Sequence, residues 1–196
     1  MKKVLCLILL AVACSKKEAA PPAVTSRPAP PAPPPVVRHE GKPSYDEAVI
    51  AFRSSPGFHF EIAIGSDKAS GDLLRPRIGQ ELMRFKSGGD EWIAARHAGG
   101  VAWYRNGKRE KNESAFADRV YQWIVMFNDP EKTPPQNSGD HIEFKNLNTN
   151  ENVSVWIAPG NHLTKLHTTG TGTAFPAVSL EITHDGESAA IQEPKS

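Results

Sequence analysis

Cysteine is almost missing from this 196-residue chain, and its two copies, Cys6 and Cys14, both fall within the first fourteen residues. Whatever domain follows has no disulfide, no thiol nucleophile and no thiolate metal ligand, and must be held by packing alone. A long apolar run is missing too. The longest, Val4 to Val12 with Cys6 inside it, is well short of the ~20 residues that span a bilayer as a helix. Neither sign of charge dominates: 23 Lys and Arg stand against 22 Asp and Glu, for a formal charge of +1. Such an even mixture offers no clustered basic face, and so no nucleic-acid partner.

Catalytic and metal signatures are lacking as well. The histidines, at 39, 59, 97, 141, 162, 167 and 184, have no paired metal spacing. His162 and His167 are expected on opposite faces of one strand. There is no Gly-x-Ser-x-Gly elbow, and Gly170-Thr-Gly172 runs on to Phe175 where a dinucleotide fingerprint wants glycine. Asp90 and Glu91 are adjacent, which on a strand sends them to opposite faces. The reading is non-enzymatic, with no catalytic residue, cofactor or metal.

What is present starts at the N-terminus. Lys2 and Lys3 precede a short apolar stretch that ends in Leu10-Ala11-Val12-Ala13-Cys14. This reads as a lipoprotein signal, residues 1–13, cleaved before a lipidated Cys14; an ordinary secretory signal cut after Ala13 is the alternative. Removing Lys2 and Lys3 takes the formal charge from +1 to −1. Residues 14–43 follow as an anchor and linker holding more than half of the 17 prolines. Such a segment favours extended polyproline II and, at ~3.1 Å per residue, reaches roughly 90 Å. Residues 44–192 are the size of one domain, and 193–196 read as a disordered tail.

Within that domain Ser44 and Glu47 suggest a capping box, and Tyr45, Ala48, Val49 and Phe52 repeat at helical spacing. Phe58, Phe60, Ile62 and Ile64 then alternate as one face of a strand. Further strands are expected at 69–75, 80–87, 91–97 and 101–105, with Asn106-Gly107 as a two-residue hairpin turn. A second helix is expected from Ser114 to Phe127, with Phe116, Val120, Trp123, Ile124 and Phe127 on one stripe. Residues 128–140 read as a loop, and strands resume at 141–147, 153–158, 162–169, 176–183 and 188–192. The fold class that follows is α+β: a strongly curved antiparallel sheet with about two helices packed on its concave face.

FHFEIAIG, IGQELMRFKSGG, DEWIAARHAGGVAWYRNGKRE and above all ENVSVWIAPGNHLTKLHTTGTG carry a resemblance. They resemble the bacterial outer-membrane lipoprotein carrier superfamily (LolA/LolB-like), across residues 44–192. The resemblance implies an unclosed half-barrel enclosing an apolar cavity, with a lipid or the acyl chains of a lipoprotein as ligand. It also implies a periplasmic domain held at the outer membrane through acylated Cys14. Phe60, Ile62, Trp92, Trp103, Phe116, Val120, Trp123, Ile124 and Phe127 are the candidate cavity-lining residues; plain core packing is the competing reading for each. Arg96 shares even spacing with Trp92 and Ala94, a candidate headgroup contact or a guanidinium snorkelling to water. The turn Lys86–Asp90 is polar and offers no apolar residue to probe a membrane. Two function classes stay open: a lipid-binding or transfer module, and a structural or regulatory envelope protein that uses its surface to contact a protein partner.

Overall fold

The computed structural model describes residues 44–127, 129–184 and 191–194. The expected signal, Cys14 and the proline-rich segment lie outside them. The first helix, α1 (Tyr45–Ser54), buries Tyr45, Ala48, Val49 and Phe52, the stripe its sequence spacing announces. Ser44 is its N-cap, but the expected capping box does not form: the Ser44 side chain makes no cap bond, and Glu47 instead accepts from Asn161 Nδ2 at 2.8 Å. At the other end Arg75 donates to the carbonyls of Phe52 and Ser55 at 3.2 and 3.1 Å, supplying partners that the helix terminus lacks.

Six strands follow as a meander: β1 (Gly57–Ile64), β2 (Asp67–Arg77), β3 (Gln80–Ser87), β4 (Asp90–His97), β5 (Gly100–Arg105) and β6 (Lys108–Glu110). Asn106 and Gly107, with φ of 51° and 77°, make the tight turn between the last two. After α2 (Ala115–Tyr121) come β7 (Gln136–Ser138), β8 (His141–Lys145), β9 (Asn152–Ala158), β10 (His162–Thr168) and β11 (Val178–Thr183). β11 pairs antiparallel with β1, joining the two meanders into one 11-stranded sheet in the order β6-β5-β4-β3-β2-β1-β11-β10-β9-β8-β7. β6 and β7 are free edges, so the sheet is an unclosed antiparallel half-barrel with two helices, an α+β fold.

Three local features depart from the sequence expectation. Residues 128–140 are not wholly loop: they contain β7, and Lys132 bridges Asn146. The second helix is capped by Ser114, whose Oγ accepts from the Ala117 amide at 3.0 Å, but it ends as an α-helix at Tyr121 and widens into a π-turn over Gln122–Met126. The wider turn shifts the buried stripe, so Val125 is buried and Trp123 only half-buried, and Phe127 closes it with φ of 30°. In β10 the register slips between Leu163 and Lys165; this bulge leaves both Leu163 and Leu166 buried and both His162 and His167 exposed, correcting the opposite-face expectation. Of the strand expected at 188–192, residues 188–190 lie outside the described residues, and Ile191 and Gln192 are not in a strand.

The period-two alternation builds the main core on one face of the sheet. Phe58, Phe60, Ile62, Met83, Phe85, Trp92 and Trp103 from the N-terminal meander and Val153, Val155, Leu163, Leu166 and Leu180 from the C-terminal one pack with the helices. A smaller cluster of Ile93, Ala95 and Tyr104 lies on the opposite face of β4 and β5. There Glu193 accepts from the Tyr104 hydroxyl at 2.6 Å and meets His97 Nε2 at 2.8 Å, while Ile191 is buried. Glu193, expected in a disordered tail, is thus tied to the outer face of the sheet.

Candidate functional site

The inner face of the C-terminal meander is not filled. A cavity of about 220 Å³ opens between α1, the π-turn and β8–β10, with Tyr45, Trp123, Phe127, Phe144, Val153 and Leu166 among its walls. Tyr45 and Phe144 meet edge to face at 4.8 Å, and Phe52 sits 4.8 Å from the Phe127 ring, so the aromatic walls are braced from behind. Tyr45 OH donates to Asp129 Oδ1 at 3.0 Å, and burial with that neighbouring carboxylate pushes its phenol well above the ordinary range. A second cavity of about 140 Å³ adjoins, and Trp123, Phe175 and Glu151 line both.

Glu151 is the unusual wall residue. It is 5% exposed, and its carboxylate accepts from Thr168 Oγ1 at 3.1 Å and from Thr149 Oγ1 at 2.6 Å. Thr168 in turn accepts from the Val178 amide at 3.1 Å, so one hydrogen-bonded chain runs from β11 through β10 to the carboxylate. Among the described residues Glu151 has no ion-pair partner.

Of the residues singled out in the sequence, Trp123 and Phe127 border this cavity. Phe60, Ile62, Trp92, Trp103, Val120 and Ile124 belong to the buried core, with Phe116 packed against it. Trp103 meets Trp92 at 6.3 Å and Tyr121 at 5.7 Å, both edge to face, so the N-terminal aromatics pack on one another. Arg96 does lie on the inner face. Its register partner is Glu81, whose Oε2 is 3.4 Å from Arg96 Nη1, and its side chain remains 40% exposed. Beside it the buried Tyr121 hydroxyl has no hydrogen-bond partner among the described residues, and burial pushes its phenol above the ordinary range. Cys14 lies outside the described residues.

Two features escaped the sequence reading. Glu151 shares the parity of Val153, Val155 and Ile157, which was the available signal for a carboxylate on the inner face. Ile78, at the β2–β3 turn beside Arg77, is fully exposed at 106%. An isoleucine between arginine and glycine at a hairpin tip was the signal there; the apolar residue looked for at Lys86–Asp90 stands one turn earlier.

The outer face holds a Ser70-His59-Asp72 alignment, with His59 Nδ1 2.9 Å from Asp72 Oδ1 and Ser70 Oγ 3.4 Å from His59 Nε2. Ser70 lies mid-strand, paired with Glu61 on one side and Lys86 on the other, so its backbone is committed to the ladder and offers no nest of free amides for an oxyanion. Arg84 also binds Asp72, at 3.3 Å. The arrangement reads as a cross-strand polar network. Farther along the same sheet Trp156 is stacked on His141 at 4.9 Å, with Lys165 Nζ 5.3 Å from its centroid. No protein-family model matches this chain, and no curated protein matches it.

Proposed function

We propose that this chain is a lipid-anchored envelope protein, related to the lipoprotein carriers, that holds one acyl chain of a lipid or lipidated protein in its inner cavity. The observation that carries this reading is the aromatic cavity of about 220 Å³ beneath α1 and the π-turn. It exceeds the ~150 Å³ engineered cavity that admits benzene. It falls below the ~300 Å³ at which drug-sized sites begin. That size favours one chain segment over the several chains of a mature lipoprotein. Each methylene taken from water contributes ~0.8 kcal/mol, so even a short segment gives measurable binding.

Ile78 adds support from outside the cavity: a fully exposed apolar tip next to Arg77 suits contact with a lipid surface. The anchor rests on Cys14, which carries several chains in a mature bacterial lipoprotein, whereas a single chain binds membranes only marginally. Ser15, in the position after the cysteine where inner-membrane retention signals place aspartate, supports localisation at the outer membrane.

The competing reading, a structural or regulatory protein that contacts an envelope partner, draws on the solid packing under β1–β5. Mass spectrometry of apolar molecules that co-purify with the chain from native membranes separates the two. A recurring single-chain lipid, lost in a cavity-filling Val153→Phe variant that stays folded, fits carriage. A clean, empty protein fits the partner reading.

A further inference from the structure

The carboxylate of Glu151 is poorly compensated for its depth. A buried carboxylate offers about four lone-pair positions and carries a heavy desolvation cost unless a cation or several donors meet it. Here two threonine hydroxyls are the donors, and no lysine, arginine or histidine among the described residues comes within ion-pair distance. Lys132 lies over the Tyr45 ring at 4.8 Å and pairs with Asp129 at 3.0 Å, while Arg119 shares the smaller cavity with Glu151 but is exposed and makes no ion pair with it. The same carboxylate lines both cavities together with the Trp123 and Phe175 side chains, and aromatic faces attract cations.

We propose that the inner cavity selects an amphiphile whose single apolar chain ends in a protonated amine or ammonium group, with Glu151 as the counter-charge and the Trp123 ring as its neighbour. This rests on the chain-binding reading above and deepens it: the aromatic walls take the chain, and the carboxylate decides the head. The same electrostatics disfavours a fatty acid, whose own carboxylate would be brought against Glu151. The protonated amine has two natural sources, a free alkylamine or the ethanolamine end of a single-chain phospholipid, and both present an N–H donor to Glu151.

The test is calorimetric titration of the whole chain with octylammonium, octanol and octanoate, followed by the octanoyl form of lysophosphatidylethanolamine, in wild type and Glu151→Gln. A hydrogen bond to a charged group is worth about tenfold or more in affinity. Octylammonium is therefore expected to bind at least about tenfold tighter than octanol, with octanoate weakest, and Glu151→Gln to bring the three within about twofold of one another. Preference for octanoyl lysophosphatidylethanolamine over octylammonium assigns the phospholipid source, and the reverse assigns the free amine. Equal binding of all three octyl probes by wild type, or octanoate binding best, overturns the head-group assignment and leaves chain binding standing. No binding of any probe overturns chain binding itself. The wild-type comparison decides the matter even if Glu151→Gln fails to fold; where it folds, unchanged selectivity in the variant also overturns the role of Glu151.

Discussion

The two meanders that share one sheet treat their inner faces differently. Under β1–β5 the inward positions include Phe58, Phe60, Met83, Phe85, Trp92 and Trp103, all buried in the core, with Arg96 and Glu81 paired on the same face at 3.4 Å. Under β8–β10 they are Phe144, Val153, Val155, Leu166 and Thr168, with Glu151 extending the row, and a cavity remains. One architecture with the same strand period gives a solid arm and a hollow one, because side-chain volume on the inward parity, not topology, decides whether the space beneath a half-barrel is filled. The solid arm is also packed at the backbone level: a Cβ at Gly71 would lie 2.0 Å from the Arg84 carbonyl oxygen and 2.6 Å from Phe85.

The sharpest test of this contrast is truncation in the solid arm. Phe60 is fully buried between Gly71 and Ile182 in register, and Phe60→Ala is expected to cost about 3–5 kcal/mol in denaturant unfolding. Gly71→Ala adds a single methyl where two strands approach closely, and is expected to cost about 1–3 kcal/mol, since the obstructing atoms are backbone. If either variant unfolds like wild type, the N-terminal arm is looser than its packing implies.

In the hollow arm the same operation should cost less. Trp123 is half-buried and borders both cavities, so Trp123→Ala enlarges a space that already exists and is expected to cost about 1–2 kcal/mol while weakening octyl-probe binding. A loss equal to that of Phe60→Ala, with no probe binding by wild type, would mean that the two arms are equally core and that the contrast fails.

Much of the fold was legible because period-two alternation and turn chemistry are local signals. Phe58 to Ile64, Asn106-Gly107 and the Val120–Ile124 spacing each announced their element, and a strongly curved sheet followed from many half-buried strands with two helices, while its being unclosed was what the resemblance implied. The site was less legible, since it depends on departures from those periods. The π-turn at Gln122–Met126 moves Trp123 from the core stripe to the cavity wall, and nothing in QWIVM marks it. The bulge beside Thr164 resets the parity of β10, so counting residues from His162 to His167 gives the wrong faces. Glu151 precedes the apolar run of β9 and looks like the end of a polar turn; only extending the inward parity two residues back places it inside.

The smallest expected effect concerns the outer faces, where the arms differ again: Glu193, from the C-terminal segment, is bound over β4 and β5, while Trp156 of β9 lies between His141 and Lys165 and donates to Asp140 Oδ2 at 3.2 Å, from the turn just before β8. The hydrogen bond from Tyr104 holds the Glu193 carboxyl below its ordinary 4.5, with His97 adding to it. The same bond holds the Tyr104 phenol above its ordinary 10.0. A depressed carboxyl stabilises docking above its ordinary range and loses that contribution as pH falls through the depressed value. A raised phenol stabilises docking below its ordinary range and loses it as pH rises through the raised value. Docking of residues 191–194 is therefore expected to be strongest between these limits and to weaken at both ends, by less than about 1 kcal/mol because the carboxylate is partly solvated. Amide hydrogen exchange at Gln192 and Glu193, corrected for the intrinsic pH dependence of exchange, reads the docking directly. Glu193→Gln keeps an acceptor for Tyr104 but removes the titrating charge, so its acid limb should flatten; an unchanged acid limb in that variant would place the release of this segment on some other group.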